Sequence, residues 1–370
     1  MQFNFRRPMV IELIQRSRRK FLLQSSALAL GVALPMRAIS AIDTENARLL
    51  AAWQLPGGVY QVGVLNTVGQ GDTLHGTVAM AVDLPTRPHG LMHLQGDEYL
   101  IVARRPGDWI LRMNIRSGET LRIWQDEARY LNGHSAKHGR YIFIAETDVL
   151  QGTGALAVRD HETFDLLDVW PTHGKDPHQI VVLPKGGLGI EEPFLLVANG
   201  GIPTHADMGR AQLQHLPMDS SLVALHPLTG KVLNQWTLND SRLSLRHMAV
   251  HVGSGVVGIA MQAHHGTAAL QHAAPLLALL DEGGLHVVEE SAYAKDYAGD
   301  IAATPQGFVI SCTKNDTAAH FDWQGKLLYT QQSKAACALA SEGEQVWLGS
   351  MLTSFNKPMV LDNHWLLLSA

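Results

Sequence analysis

Gly133-His134-Ser135, followed at Tyr141-Ile142-Phe143-Ile144-Ala145 by a short apolar run, is the stretch on which the fold turns, because the pair recurs along the chain. Runs of the same kind stand at residues 99–103, 194–198, 256–260, 308–311 and 346–349, each a candidate for a buried strand. Upstream of them lie short His- or Ala-containing motifs: Pro88-His89-Gly90, Pro177-His178-Gln179, Arg246-His247-Met248, Asp300-Ile301-Ala302 and Cys337-Ala338-Leu339. His89 and His134 are 45 residues apart and His134 and His178 are 44 apart, the length of one propeller blade of four antiparallel strands. The 69-residue step from His178 to His247 accommodates an insertion around Gly200 to Met218. Polar or Gly turns such as Ser117-Gly118 and Thr229-Gly230 follow further strand-like runs and mark hairpins. Six units follow from His89, and residues 53–83 supply more strands. The reading is therefore all-β: a β-propeller of seven blades of four antiparallel strands with the chain ends interlocking in one blade, six and eight being the neighbouring counts. A pair of β-sandwiches would not sustain a period near 44 residues.

The chain has 370 residues, 46% hydrophobic and 17% charged, enough apolar material for a large core and too much for a disordered polypeptide. A formal charge of −5 leaves no basic field for nucleic acid or acidic membranes. Two cysteines exclude a disulfide scaffold, a four-cysteine zinc module and an iron–sulfur ferredoxin, so any metal relies mainly on His, Asp, Glu and backbone oxygens. Histidine is the residue in excess: there are 19, none before His75.

The amino terminus reads as an export signal. A basic region ends in Ser17-Arg18-Arg19-Lys20-Phe21-Leu22-Leu23, similar to the motif read by the twin-arginine translocase, and a moderately apolar run follows to Leu34. That run is shorter than the roughly 20 apolar residues a membrane anchor needs. Cleavage after Ala38-Ile39-Ser40 would leave residues 1–40 as the signal and 41–370 as a single propeller domain without a membrane anchor, delivered to the bacterial periplasm. There Cys312 and Cys337 could pair if their geometry allowed.

The histidines carry the candidate chemistry. The first strand of each propeller blade lines the central channel, so His89, His134, His178 and His247 would point toward one axis from four blades and could hold a metal or an anionic ligand. Asp176, Arg246, Asn199 and Asp148 would supply supporting hydrogen bonds or charge, and Arg246 and Asn199 join the four histidines as candidate channel residues. The competing reading is that each histidine bridges blades by bonding a backbone carbonyl. His264, His265 and His272 read as a solvated loop, and Thr204-His205-Ala206-Asp207 as a lid over the channel mouth. Ser311-Cys312-Thr313-Lys314 ends a strand where an acyl-enzyme Ser-x-x-Lys motif needs a helix start, and Gly186-Gly187-Leu188-Gly189 lacks the helix a phosphate loop needs.

Gly133-His134, Pro177-His178-Gln179, Val197-Ala198-Asn199-Gly200-Gly201-Ile202, Gly209-Arg210 and Leu243-Ser244-Leu245-Arg246-His247, in that order behind the export signal, resemble a particular family. It comprises twin-arginine-exported bacterial proteins of unknown function often encoded beside imelysin-type iron-regulated proteins. The resemblance implies a periplasmic propeller similar in fold to the β-chain of quinoprotein amine dehydrogenases, with a link to iron acquisition and periplasmic iron-uptake proteins as partners. It carries no cofactor across, because function lives in sites rather than folds. In the family pattern Pro-His is usually followed by Glu. This chain has Gln179, which removes a carboxylate there.

Two functions fit. One is a non-catalytic propeller binding a divalent or iron-group metal, a metal complex or a protein partner. The other is a metal-dependent oxidoreductase or lactonase-like hydrolase, which needs an open coordination position and a base such as Asp148, Asp176 or Asp207.

Overall fold

The computed structural model describes residues 46–69, 73–125, 127–203, 216–294, 297–350, 355 and 358–368. The export signal with Arg18 and Arg19, the Thr204 to Asp207 lid and the Gly209-Arg210 pair lie outside the described residues. The described chain begins with β1 (Ala47–Gln54), β2 (Tyr60–Val68) and β3 (His75–Leu84). Five groups of four strands follow. They are β4 (Pro88–Gln95), β5 (Glu98–Ala103), β6 (Trp109–Asn114) and β7 (Thr120–Trp124); and β8 (Arg129–His138), β9 (Tyr141–Asp148), β10 (Gly154–Asp160) and β11 (Leu166–Pro171). Next come β12 (Pro177–Leu183), β13 (Phe194–Asn199), β14 (Ser221–Leu225) and β15 (Val232–Trp236), then β16 (Leu243–Val250), β17 (Val257–Ala263), β18 (Leu277–Asp281) and β19 (Gly284–Val287). The fifth group is β20 (Ile301–Thr304), β21 (Gly307–Cys312), β22 (Thr317–Asp322) and β23 (Leu327–Gln332), and the chain ends in β24 (Ala336–Glu342), β25 (Gln345–Ser350) and β26 (Val360–Leu367).

Each group of four is one antiparallel sheet in sequential order, and β26 pairs with β1 to give the order β26-β1-β2-β3. The last strand thus closes the ring onto the first. Around that ring the inner strands β4, β8, β12, β16, β20, β24 and β26 touch in turn, and β26 returns to β4. The expected seven blades of four strands are corrected to six: among the described residues six sheets have four strands, and β24-β25 is a sheet of two. The reason lies in chain length. Only the nine residues 351–359 separate β25 from β26, too few for two more strands of ordinary length and their turns.

The apolar runs that reveal the repeat are the second strands of the sheets, and they are continuous rather than alternating because neighbouring sheets cover both of their faces. In β5, β9, β13, β17 and β21 nearly every residue is buried. The outer strands β7 and β11 are mostly exposed. One core cluster joins Leu100, Ile101, Trp109 and Leu111 with Leu50 and Val62 of the closing sheet, and another joins Phe194, Leu222, Ile259 and Phe308 across three sheets. Each such buried side chain stabilises the fold by roughly 1.5–3 kcal/mol. Trp109 is fully buried and keeps its polar atom satisfied by donating from Nε1 to Thr86 Oγ1 at 2.7 Å. Cys312 and Cys337 are both buried and free, each thiol pushed up to about 12 by burial.

Candidate axial histidine site

The inner strands break their ladders at the sequence motifs. Pairing of β4 with β5 shifts register between Pro88 and Gly90, β8 with β9 between Leu131 and Ser135, and β12 with β13 between Pro177 and Ile180. The same happens between Leu245 and His247 on β16, between Ala336 and Leu339 on β24, and on β26, where Trp365 and Leu361 face Ala51 and Trp53. A bulge frees a residue from pairing and re-aims its side chain. Here it turns His89, His134, His178, His247 and His364 inward from five strands.

Their rings form a closed circuit. Centroids are 4.6 Å apart for His89–His134, 4.8 Å for His134–His178, 4.6 Å for His178–His247, 4.5 Å for His247–His364 and 4.7 Å for His364–His89. The cross-ring distances His134–His364 at 5.1 Å, His134–His247 at 5.3 Å and His89–His247 at 6.0 Å do not fit together in a flat pentagon with those sides. The rings are therefore staggered in height, forming a compact cluster rather than a flat crown. One ring nitrogen from each of His89, His134, His247 and His364 lies within 4.8 Å of the others. The same four residues each carry a buried nitrogen with no hydrogen-bond partner among the described residues: His89 Nδ1, His134 Nε2, His247 Nδ1 and His364 Nε2.

Burial holds the imidazoles of His89, His134, His178 and His247 well below the usual histidine pKa, and neighbouring rings and arginines reinforce the shift. At neutral pH these rings are uncharged and offer lone pairs. The tautomers follow from the partners. Asp300 Oδ2 lies 3.2 Å from His364 Nδ1, so this nitrogen donates and Nε2 keeps its lone pair, the carboxylate–histidine arrangement that supports metal ligands. Arg246 Nη2 can only donate, at 3.2 Å, to His178 Nδ1; His178 Nε2 then carries the proton toward His247 Nε2 at 2.8 Å, which leaves the His247 proton on Nδ1, so a metal would take His247 through Nε2 in place of this bond. With both nitrogens engaged, His178 positions His247.

A buried ionic knot supports this floor. Asp176 accepts from Arg105 through Oδ1 and from Arg246 through Oδ2 at 3.4 Å. Asp176 is held at φ 52, a left-handed conformation costly for a non-glycine residue. Gly200 locks this corner: its N–H donates to Asp176 O at 2.8 Å, and a Cβ there would lie 2.8 Å from Asp176 Oδ2. Gly133 has φ +107, and a Cβ there would come within 2.6 Å of His89 Cδ2. Gly133 thus leaves the room in which His89 sits.

The other expected residues separate. Asn199 is buried, but its Nδ2 donates to Thr172 O at 3.0 Å and Ser221 Oγ at 3.3 Å, tying strands together beneath the site. Asp148 caps a turn, accepting from Leu150 N and Gln151 N. Gln179 accepts from Met248 N and so links β12 to β16. His265 pairs with Asp240 at 2.8 Å and His272 lies on the short helix α1 (Ala268–Ala273), both apart from the axial group. His364 and Arg105 join the site although sequence reasoning passed them over. The signal for His364 was Leu361-Asp362-Asn363-His364, whose partner strand is β1 at the far end of the chain rather than a run just downstream.

Above the rings lies a cavity of about 30 Å³, the size of a water molecule or an ion. Its walls include Arg104, Arg105 and Arg246, Asn132, Gln262 and Tyr297, and no carboxylate. Burial raises the Tyr297 phenol well above its usual range, so it stays protonated.

The sequence matches, over residues 82–368, a family described as "Protein of unknown function (DUF1513)". No curated protein matches it. The WD40 domain of Pan2 from Neurospora crassa superposes with a TM-score of 0.51 at 12% identity, over 87% of this chain and 89% of that one, a likeness of fold alone. A chain of a nidogen/laminin complex gives a TM-score of 0.48 at 14% identity, covering 82% of this chain and 98% of that one. A functionally unknown protein from Desulfotomaculum acetoxidans DSM 771 gives 0.48 at 12% identity, over 82% and 89%.

Proposed function

This chain belongs to the DUF1513 family of proteins of unknown function, and from its axial cluster we propose that it is a metal-binding β-propeller. The observation that carries the reading is the convergence of four buried imidazoles, His89, His134, His247 and His364, with ligand nitrogens within 4.8 Å of one another. Nitrogens on opposite sides of a first-row ion, each about 2.1 Å away, stand about 4.2 Å apart, so small rotations complete the shell. An all-imidazole set suits zinc, copper, nickel or iron rather than magnesium or calcium. Without metal His178 holds His247 Nε2 in place from its own bond to Arg246, and a bound metal replaces it there.

Binding is favoured over catalysis because both candidate bases among the described residues are spent. Asp148 caps a turn and Asp176 is clamped between two arginines. Delivery to the periplasm is part of the proposal and rests on Arg18 and Arg19; the link to iron uptake rests on the motifs quoted above.

The test is elemental analysis of protein exported through its own pathway, compared with His89→Ala and His364→Ala. Wild type is expected to hold one first-row metal and both variants to lose it with their fold intact by circular dichroism. Metal-free wild type after exposure to zinc, copper and iron, each as a simple salt and as a carboxylate complex, or unchanged metal in both variants, would overturn the assignment.

A further inference from the structure

Imidazole coordinates a metal as a neutral ligand, so these rings leave the charge of a bound cation uncancelled. None of the residues walling the axial cavity is acidic, three are arginines, and Asp176 is already shared by Arg105 and Arg246. A divalent or trivalent ion entering this low-dielectric space would meet imidazoles and guanidinium groups, and the one nearby carboxylate not held by an arginine is Asp300, behind His364 Nδ1, too little to balance it. The missing negative charge must come with the metal.

A second space supplies room for it. A groove of about 820 Å³ runs over the closing sheet, the β4–β7 blade and the edge of the β8–β11 blade, and Arg104 and Arg105 line both it and the axial cavity. Its volume falls in the range of small-molecule sites. Arg87 and Arg129 line the groove with their charges met by Asp362 and Glu146. Arg104 differs: its guanidinium makes no side-chain hydrogen bond or ion pair among the described residues, while its backbone N–H is fixed to Arg87 O at 2.9 Å. Acidic lining is confined to Asp108 and Glu127, and Trp124, more than half exposed, offers an apolar wall. Arginine presents a fork that matches a carboxylate in two-point contact.

We propose, resting on the metal-binding reading, that the metal is taken up as a complex with an organic polycarboxylate, which lies in the groove with one carboxylate on Arg104 and another on the metal. The chelator supplies the negative charge the protein withholds. Recognition is then of a metal–carboxylate pair rather than of a bare ion.

The experiment uses cobalt(II), whose visible spectrum reports imidazole coordination, with radiolabelled citrate, in equilibrium dialysis of the full chain. Wild type is expected to retain citrate in equal amount to cobalt and very little without it. Arg104→Ala should retain about tenfold less citrate and cobalt, the two falling together, the scale of one charge-assisted contact. Arg104→Lys should recover part of the loss. His89→Ala should lose both. Cobalt bound without citrate in the citrate buffer, citrate retention unchanged in Arg104→Ala, or displacement of citrate by equal bicarbonate or phosphate would each overturn the proposal while leaving the metal site standing. Failure of wild type to bind cobalt in any buffer would overturn both.

Discussion

Acid should unfold the metal-free protein more steeply than a few surface histidines could explain. The imidazoles of His89, His134, His178 and His247 are held well below their ordinary value of 6.5 by burial, with mutual repulsion adding to it. In the unfolded chain each returns to about 6.5. Between that value and its lower folded value the unfolded chain binds the proton and the folded chain does not. Stability is therefore complete above about pH 6.5 and falls as the pH drops below it. Each ring contributes slightly more than about 1 kcal/mol per pH unit, and four together about 5 kcal/mol, against total stabilities of about 5–15 kcal/mol for folded domains. One pH unit in this window thus removes a large part of the fold's margin. The assay is urea unfolding of chelator-treated protein at about pH 7.5, 6.5 and 5.5, followed by fluorescence of the buried Trp53 and Trp109. The slope should approach four protons, and His178→Gln should reduce it by about one. A slope of one proton or less would refute the burial of neutral rings at the axis.

Three further outcomes follow from named contacts. Asp300→Asn takes the charge off the acceptor that sets the His364 tautomer, and metal affinity measured by competition with a chelator should fall about 10–100-fold with little change in the urea midpoint. Gly133→Ala forces a Cβ to within 2.6 Å of His89 Cδ2 at φ +107; it should cost about 1–3 kcal/mol in urea unfolding and abolish metal retention, whereas Gly139→Ala, with open space around it, should leave retention intact. Asp176→Asn leaves Arg105 and Arg246 buried without their shared carboxylate and should destabilise the protein by about 3–5 kcal/mol, read by calorimetry.

The repeat was legible because the second strands are covered on both faces, which writes them as uninterrupted apolar runs such as residues 141–145 and 194–198. The four motif histidines were legible as one per period, and the structure brings all four to the axis. The blade count was not, because a motif at Cys337 announces a blade whether or not enough chain follows to build four strands. His364 escaped for a related reason: its sheet is assembled from both ends of the sequence, so its motif has no downstream partner to mark it. Arg105 lies in a turn between β5 and β6 and carries no periodic signal; only three-dimensional closure sets it against Asp176, 71 residues away. The bulges that aim the rings also escape a sequence reading, since they are mismatches between two strands and not properties of either one.

That the strand carrying His364 pairs with β1 has a bearing on biosynthesis. It leaves the ribosome after every other described strand, so a nascent or prematurely ended chain has neither a sealed ring nor a fifth imidazole. Metal held at the axis would therefore mark polypeptides whose translation had passed this strand.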